Sequence, residues 1–367
     1  MRKGLKRLQA VPMLVIAAML AVTGGCGSST QNSGAQTAPA ESTVAEQSSE
    51  QAAETQESAA ETVSSETKES HYPVTVITYD YEKNPIELTF TEKPTKVISG
   101  QQIWNEMLLY FDLDEYIVGA ANSDSNVYGD FQERYDALPK LEDTWHNKEG
   151  IIAAQPQVFF GWRSHFAEDS LGDMQSWIDK GINMVVLNCA NNACGEPSID
   201  AVLQDFANLG AIFDIEDKTD AYIEDARDML DDIQAAVDAL DHKQKVLMLE
   251  YYDGSTNITA WGTESLSGQM IPYAGGENPI EKTGNISLED IVAYNPDKIL
   301  LMNAGDSDTE EDRQSINDAF FALEGLQNVT AVANGDVTIY ALDDIYGGGI
   351  RIIPAIQSIY DWIYEEK

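Results

Sequence analysis

Basic residues are scarce: the 367-residue chain carries 22 Lys and Arg against 62 Asp and Glu, a formal net charge of −40. A surface so poor in cations repels phosphate, which excludes nucleic acid as a partner. Cysteine is scarcer still, and three cannot build a disulfide scaffold. The four histidines (His71, His146, His165 and His242) are scattered, so nothing converges as a zinc or manganese site requires, and no resident metal or cofactor is expected. No Gly-x-Ser-x-Gly elbow, His-Glu-x-x-His, P-loop or Cys-His pairing occurs, so acyl transfer, zinc proteolysis and nucleotide hydrolysis lack an apparatus. The adjacent Asp343-Asp344 suit a cap or solvated turn better than a glycosidase pair. These absences argue against an enzyme.

The N-terminus carries Arg2, Lys3, Lys6 and Arg7, then the apolar run Val11 to Val22. A dozen residues are too few for a spanning helix, which needs roughly 20, and suit the core of a secretory signal. Thr23-Gly24-Gly25-Cys26 follows. Small residues directly before a cysteine resemble the lipobox of bacterial lipoproteins, which implies that residues 1–25 are removed and that the Cys26 thiol is acylated. Removal of the four basic residues takes the formal charge from −40 to about −44. Residues 26–71, rich in Ser, Ala, Thr, Gln and Glu, cannot bury enough apolar surface to fold and read as a tether. The expected location is extracytoplasmic, on a lipid anchor.

Beyond the tether lie about 295 residues, enough for two domains with their own cores. Two β-prone runs, Val74 to Tyr79 and Ile86 to Phe90, flank Lys83-Asn84-Pro85 and predict a hairpin. After it apolar strands alternate with helical patterns, which argues for mainly parallel sheets covered on both faces. One stretch stands out. From Lys218 to Asp241, Tyr222, Ala226, Met229, Leu230, Ile233, Val237 and Leu240 recur at helical spacing among Asp and Glu, predicting one long amphipathic helix. On either side a segment repeats: Glu149-Gly150-Ile151-Ile152-Ala153-Ala154-Gln155-Pro156 is answered by Glu289-Asp290-Ile291-Val292-Ala293-Tyr294-Asn295-Pro296, each leading into an apolar strand. The predicted fold is α/β: two doubly wound lobes, residues 72–217 and 242–367, joined by a rigid helix over 218–241, with a ligand cleft between them.

Ligands of open parallel sheets sit at the strand C-termini. Residues following the predicted strands give a candidate lining: Gln101, Gln102, Ser123, Asp124, Trp145, Trp162 and Arg163 from the first lobe, with Tyr251, Tyr252, Trp261, Tyr346 and Arg351 from the second. Planar aromatics and fixed donors suit a bulky, partly apolar ligand, and two arginines favour an anionic one. Cys189 and Cys194, five apart in an Asn- and Ala-rich loop, form either a small disulfide, which an extracytoplasmic setting permits, or two free thiols.

Taken together, Pro94-Thr95-Lys96-Val97-Ile98, the repeated segments, Gly275-Gly276-Glu277-Asn278 and Asn334-Gly335-Asp336-Val337 resemble the solute-binding proteins of ABC importers for iron-siderophores and vitamin B12. The resemblance runs from about Tyr72 to the C-terminus and implies capture of a metal chelate between lobes that close only modestly. It also implies delivery to a membrane permease through one exposed acid per lobe, at positions matched by Glu168 and Glu264. A corrinoid is the alternative ligand, or haem held axially by Tyr251, Tyr252, Tyr346 or His146. From a different class, a surface adhesin, a sensor or an exported enzyme reusing the fold stays open.

Overall fold

The computed structural model describes residues 71–123, 125–188, 197–252, 255, 257–303 and 309–364. The leader, the tether up to residue 70 with Cys26, and Asp124, Cys189 and Cys194 lie outside the described residues, and with them the expectations about acylation and the disulfide.

The hairpin forms as expected, β1 (Val74–Tyr79) pairing antiparallel with β2 (Pro85–Phe90). The first lobe continues with β3 (Val97–Ser99), α1 (Gln102–Tyr110), β4 (Ile117–Ala120), α2 (Gln132–Asp136), α3 (Lys148–Ala154) and β5 (Val158–Gly161). It closes with α4 (Gln175–Ile178), β6 (Asn183–Val186) and α5 (Ile199–Phe213). Its four-stranded sheet, ordered β4-β3-β5-β6, is parallel throughout. The apolar spacing over Ser170 to Lys180 predicts a longer helix, but only Gln175–Ile178 winds into one. Leu171 and Met174, before the helix, are buried along with its Trp177, so residues at helical spacing there reach the core partly from turns.

The long helix is α6 (Glu216–Val237), which at about 1.5 Å per residue extends some 33 Å. Glu216 and Asp217 in its first turn complement the partial positive charge of the helix start. It ends at Val237, short of the expected Asp241, and Leu240 is exposed. Each end is fastened to a different lobe. Thr219 is buried against Gly210 of α5. At the other end Val237 lies so close to Gly275 that a Cβ there would come within 2.2 Å of its methyl, while the Tyr364 hydroxyl donates to the Gly275 carbonyl at 2.7 Å. Only glycine admits that approach.

The second lobe runs through β7 (Val246–Glu250), β8 (Ile258–Ala260), α7 (Leu266–Tyr273), β9 (Gly284–Ile286), α8 (Leu288–Tyr294) and β10 (Lys298–Asn303). It finishes with α9 (Glu310–Phe321), α10 (Thr330–Asn334), β11 (Val337–Ala341), α11 (Leu342–Ile345) and α12 (Ile352–Tyr364). Its sheet, ordered β11-β10-β7-β8-β9, is mixed: β7, β10 and β11 pair in parallel, whereas β8 pairs antiparallel with both β7 and β9 and is the one reversed strand of the five. Val246 to Leu249 are wholly buried, as a central strand covered on both faces requires. β8 and β9 have three residues each, too few to show an alternation in the sequence.

The repeated segments fold alike. Both α3 and α8 end in a left-handed residue, Gln155 at φ 51° and Asn295 at φ 43°, and a proline then bars further helix before β5 or β10 begins. Ile151 and Ile291 are completely buried, each stabilising its lobe by roughly 1.5–3 kcal/mol. Residues 70–367 make a single compact unit, and one apolar cluster runs from Val97 through α5 and α6 to Ile359, joining the lobes. Among the described residues, no helix is long and apolar enough to cross a membrane.

Candidate functional site

The loops after the strands of the two lobes meet along a seam. On the first lobe, β5 delivers Trp162; on the second, the turn after α11 delivers Tyr346. Their rings stack across the seam with centroids 5.8 Å apart and planes 18° apart. Trp261, following β8, meets Tyr346 edge-on at 5.6 Å. Behind these rings lies Glu250, the last residue of β7, whose carboxylate accepts from the Tyr252 hydroxyl at 2.7 Å and from Trp261 Nε1 at 3.2 Å. The hydrogen bond to Glu250, with burial and its charge, pushes the Tyr252 phenol up to about 12. Burial first, then Glu250, also raises Tyr346.

Beside the aromatic stack the lobes are tied by charge. Arg351 Nε donates to Glu106 Oε2 at 2.8 Å and its Nη2 to Glu106 Oε1 at 2.5 Å, while Nη1 reaches Asp344 at 2.9 Å. Burial opposes the charge on Arg351, but Glu106 and Asp344 more than offset it and its pKa is raised. Gln102 Nε2 donates to Glu106, to Ser125 Oγ and to the Asn126 carbonyl, holding the loop after β4 in place. The Ser125 hydroxyl in turn donates to Asp343 across the seam. The left-handed turn of Gly347 seats the second lobe: a Cβ there would lie 2.7 Å from both Ile103 Cδ1 and Trp162 Cη2.

Several candidate residues take other positions. Tyr251 is fully buried in the second lobe's own core with its ring 5.2 Å from Phe320. Side chains alternate along β7 and its continuation, so Glu250 and Tyr252 turn to the seam and Tyr251 turns away. Arg163 also leaves the seam, its guanidinium donating to the Tyr81 carbonyl and lying 5.1 Å from the Tyr81 ring. Arg351 sits at the seam but is committed to Glu106 and Asp344. Of the two arginines expected to favour an anionic ligand, one lies away from the seam and the other is paired with carboxylates. Gln102 is buried as a brace, and Gln101 occupies the start of α1, its carbonyl accepting from Asn105 N–H. Ser123 caps its own loop by donating to the Ser125 carbonyl. Trp145 stacks on His165 at 3.8 Å instead of on Trp162. The seam thus brings together Trp162, Tyr252, Trp261, Tyr346 and Arg351 of the expected set. Glu106 and Glu250 went unnoticed; the period of two ending β7 was the available signal for Glu250, whereas nothing local marked Glu106 in a chain with 62 acids.

Glu168, just past the turn that follows Trp162, is exposed. Glu264, three residues after Trp261, is exposed too, one of its oxygens accepting from Thr283 N–H at 2.9 Å. A separate cluster at the α5–α6 turn joins His71 to Asp214 and Glu216, with its Nδ1 at 3.5 and 3.3 Å from them. His71 Nε2 also bonds the Ala211 carbonyl, so the cluster fastens the first described residue to the first lobe.

A sequence profile described as periplasmic binding protein matches residues 97–344, most of both lobes and the helix between them. The chain belongs to the periplasmic binding protein family. This places it among extracytoplasmic proteins that bind and do not catalyse. No curated protein matches it. A periplasmic binding protein from Veillonella parvula shares its fold with a TM-score of 0.70 at 23% identity, over 81% of this binding protein and 99% of that chain. An ABC-type Fe3+-hydroxamate transport protein from Saccharomonospora viridis gives 0.63 at 20% identity, over 80% and 100%. The periplasmic haem-binding protein HutB of Vibrio cholerae gives 0.60 at 19% identity, over 74% and 99%. At these identities the likeness is one of fold.

Proposed function

We propose that the binding protein captures a bulky metal chelate of the ferric-siderophore kind at the seam between its lobes and delivers it to an ABC permease. The observation that carries this reading is the Trp162–Tyr346 stack across the seam, flanked by Trp261. Flat faces from both lobes converge where a large planar or partly apolar guest would be clasped. The solved relatives that transport Fe3+-hydroxamate or bind haem agree in fold with this use. On the same reading residues 1–25 are a removable leader, acylated Cys26 holds the protein to the membrane, and residues 26–71 tether the lobes.

A chelate fits these residues better than haem does. Axial ligation by tyrosine needs a phenolate, and Glu250 pushes the Tyr252 phenol the other way, as burial, then Glu250, does for Tyr346. Tyr251 is sealed in the core, and His146 is an exposed side chain beside Asp143.

The test is a fluorescence titration of the purified chain with ferric trihydroxamates, cobalamin and haem. Trp162 and Trp261 should be quenched by a ferric chelate at micromolar concentration or below, and the Trp162→Leu variant should lose most of that signal. Absence of quenching and of calorimetric heat with every one of these ligands overturns the reading.

A further inference from the structure

The charge of the guest is written in the seam. Among the described residues, four carboxylates gather there, Glu106, Glu250, Asp343 and Asp344, against the guanidinium of Arg351. Glu106 and Asp344 are spent on Arg351, whose charge is thereby paired within a buried cluster. The other arginine of these loops, Arg163, is turned to Tyr81. Burial holds His165 near a pKa of about 4, so it adds no positive charge at neutral pH. His146 is exposed next to Asp143.

What remains is a carboxylate framed by aromatic faces. Glu250 is held by donors from Tyr252 and Trp261, a pair that fixes its position without neutralising it. Ring faces attract cations through their quadrupole, and a carboxylate behind them strengthens that preference. An independent feature marks the same place as a ligand contact. Trp162 is 7% exposed, and its Nε1–H has no partner among the described residues. The benzo-ring carbons Cη2 and Cζ2 lie 2.7 and 3.1 Å from where a Cβ of Gly347 would stand, so that end of the indole is set against the second lobe. A buried donor without an acceptor is costly, and a carbonyl or hydroxamate oxygen of a guest in the seam would satisfy it.

We infer that the seam selects a chelate bearing positive charge, such as a ferric trihydroxamate with a pendant ammonium group, and rejects anionic chelates, with Glu250 setting the preference and Trp162 Nε1 donating to a guest oxygen. This rests on the chelate-capturing reading above and narrows it.

The experiment measures calorimetric Kd values of the purified chain for three ferric trihydroxamates differing only in a pendant group, ammonium, methyl or carboxylate, and for a ferric tris-catecholate trianion. The ammonium form should bind at least tenfold tighter than the carboxylate form, and the trianion should bind weakest. In Glu250→Gln that ratio should fall to threefold or less, with a wild-type circular dichroism spectrum and a cooperative urea transition reporting that the variant is folded. Raising salt from 50 to 500 mM should shrink the wild-type ratio, because screening acts on charge alone. Equal or tighter binding of the carboxylate form or the trianion overturns the inference and leaves the chelate reading standing. An unchanged ratio in Glu250→Gln overturns the role given to that residue. If no chelate of any charge binds, the chelate reading falls and takes the inference with it.

Discussion

His165 is buried between the Trp145 ring, stacked at 3.8 Å, and Phe159, edge-on at 5.4 Å, and its Nδ1 accepts the Trp162 backbone N–H at 2.9 Å. It therefore anchors the turn that presents Trp162 to the seam. Burial depresses its pKa from 6.5 to about 4. Between these values the unfolded chain binds the proton and the folded one does not, so the neutral imidazole's contribution is complete above about pH 6.5 and is lost as pH falls toward 4. The shift corresponds to about 3 kcal/mol. Urea unfolding between pH 7 and pH 4.5 should show this loss, and His165→Asn, whose amide oxygen replaces the Nδ1 acceptor, should flatten the pH dependence in that window. Equal slopes in the two proteins would show that His165 is not the group responsible.

The elements that set the site are of two kinds, and they differ in how plainly the sequence announced them. Strands β5, β7 and β10 are runs of apolar residues, and the repeated segments before β5 and β10 end in Gln155-Pro156 and Asn295-Pro296, local signals that act whatever surrounds them. The seam has no such signal. Gly347 looks like one more loop glycine, yet its φ is +86° and an added methyl would stand only 2.7 Å from Ile103 and Trp162, so the turn after α11 closes tightly against α1 there. Its partners lie in α1 and after β5, far off along the chain, so no pattern of spacing reveals it. Gly347→Ala should destabilise the protein by about 2–4 kcal/mol, the sum of a left-handed alanine and an overpacked contact. Denaturant midpoints measure this, and a change below about 0.5 kcal/mol would mean that the seam yields freely.

At the scale of the molecule, α6 and the seam act together. The helix is fastened to α5 through Thr219 and to the second lobe through Val237 against Gly275, and Glu106–Arg351 ties the lobes again near the site. The sequence foretold the helix from its spacing but not the second tie, because an ion pair 245 residues apart leaves no local trace. Two ties hold the exposed Glu168 and Glu264, one on each lobe, at a set separation. On the proposed reading each carboxylate meets an arginine of a permease subunit, and a fixed separation lets both engage without an entropic cost of aligning them. Loss of one should then weaken docking, and loss of both should remove it. In cells whose uptake depends on this protein, Glu168→Ala with Glu264→Ala should cut chelate uptake more than tenfold, each single variant should fall between, and chelate Kd should stay within twofold of wild type. Uptake at the wild-type rate in the double variant would mean that the permease reads another face, and a protein that binds chelate without such a dependence would be a sensor or adhesin instead of an importer component.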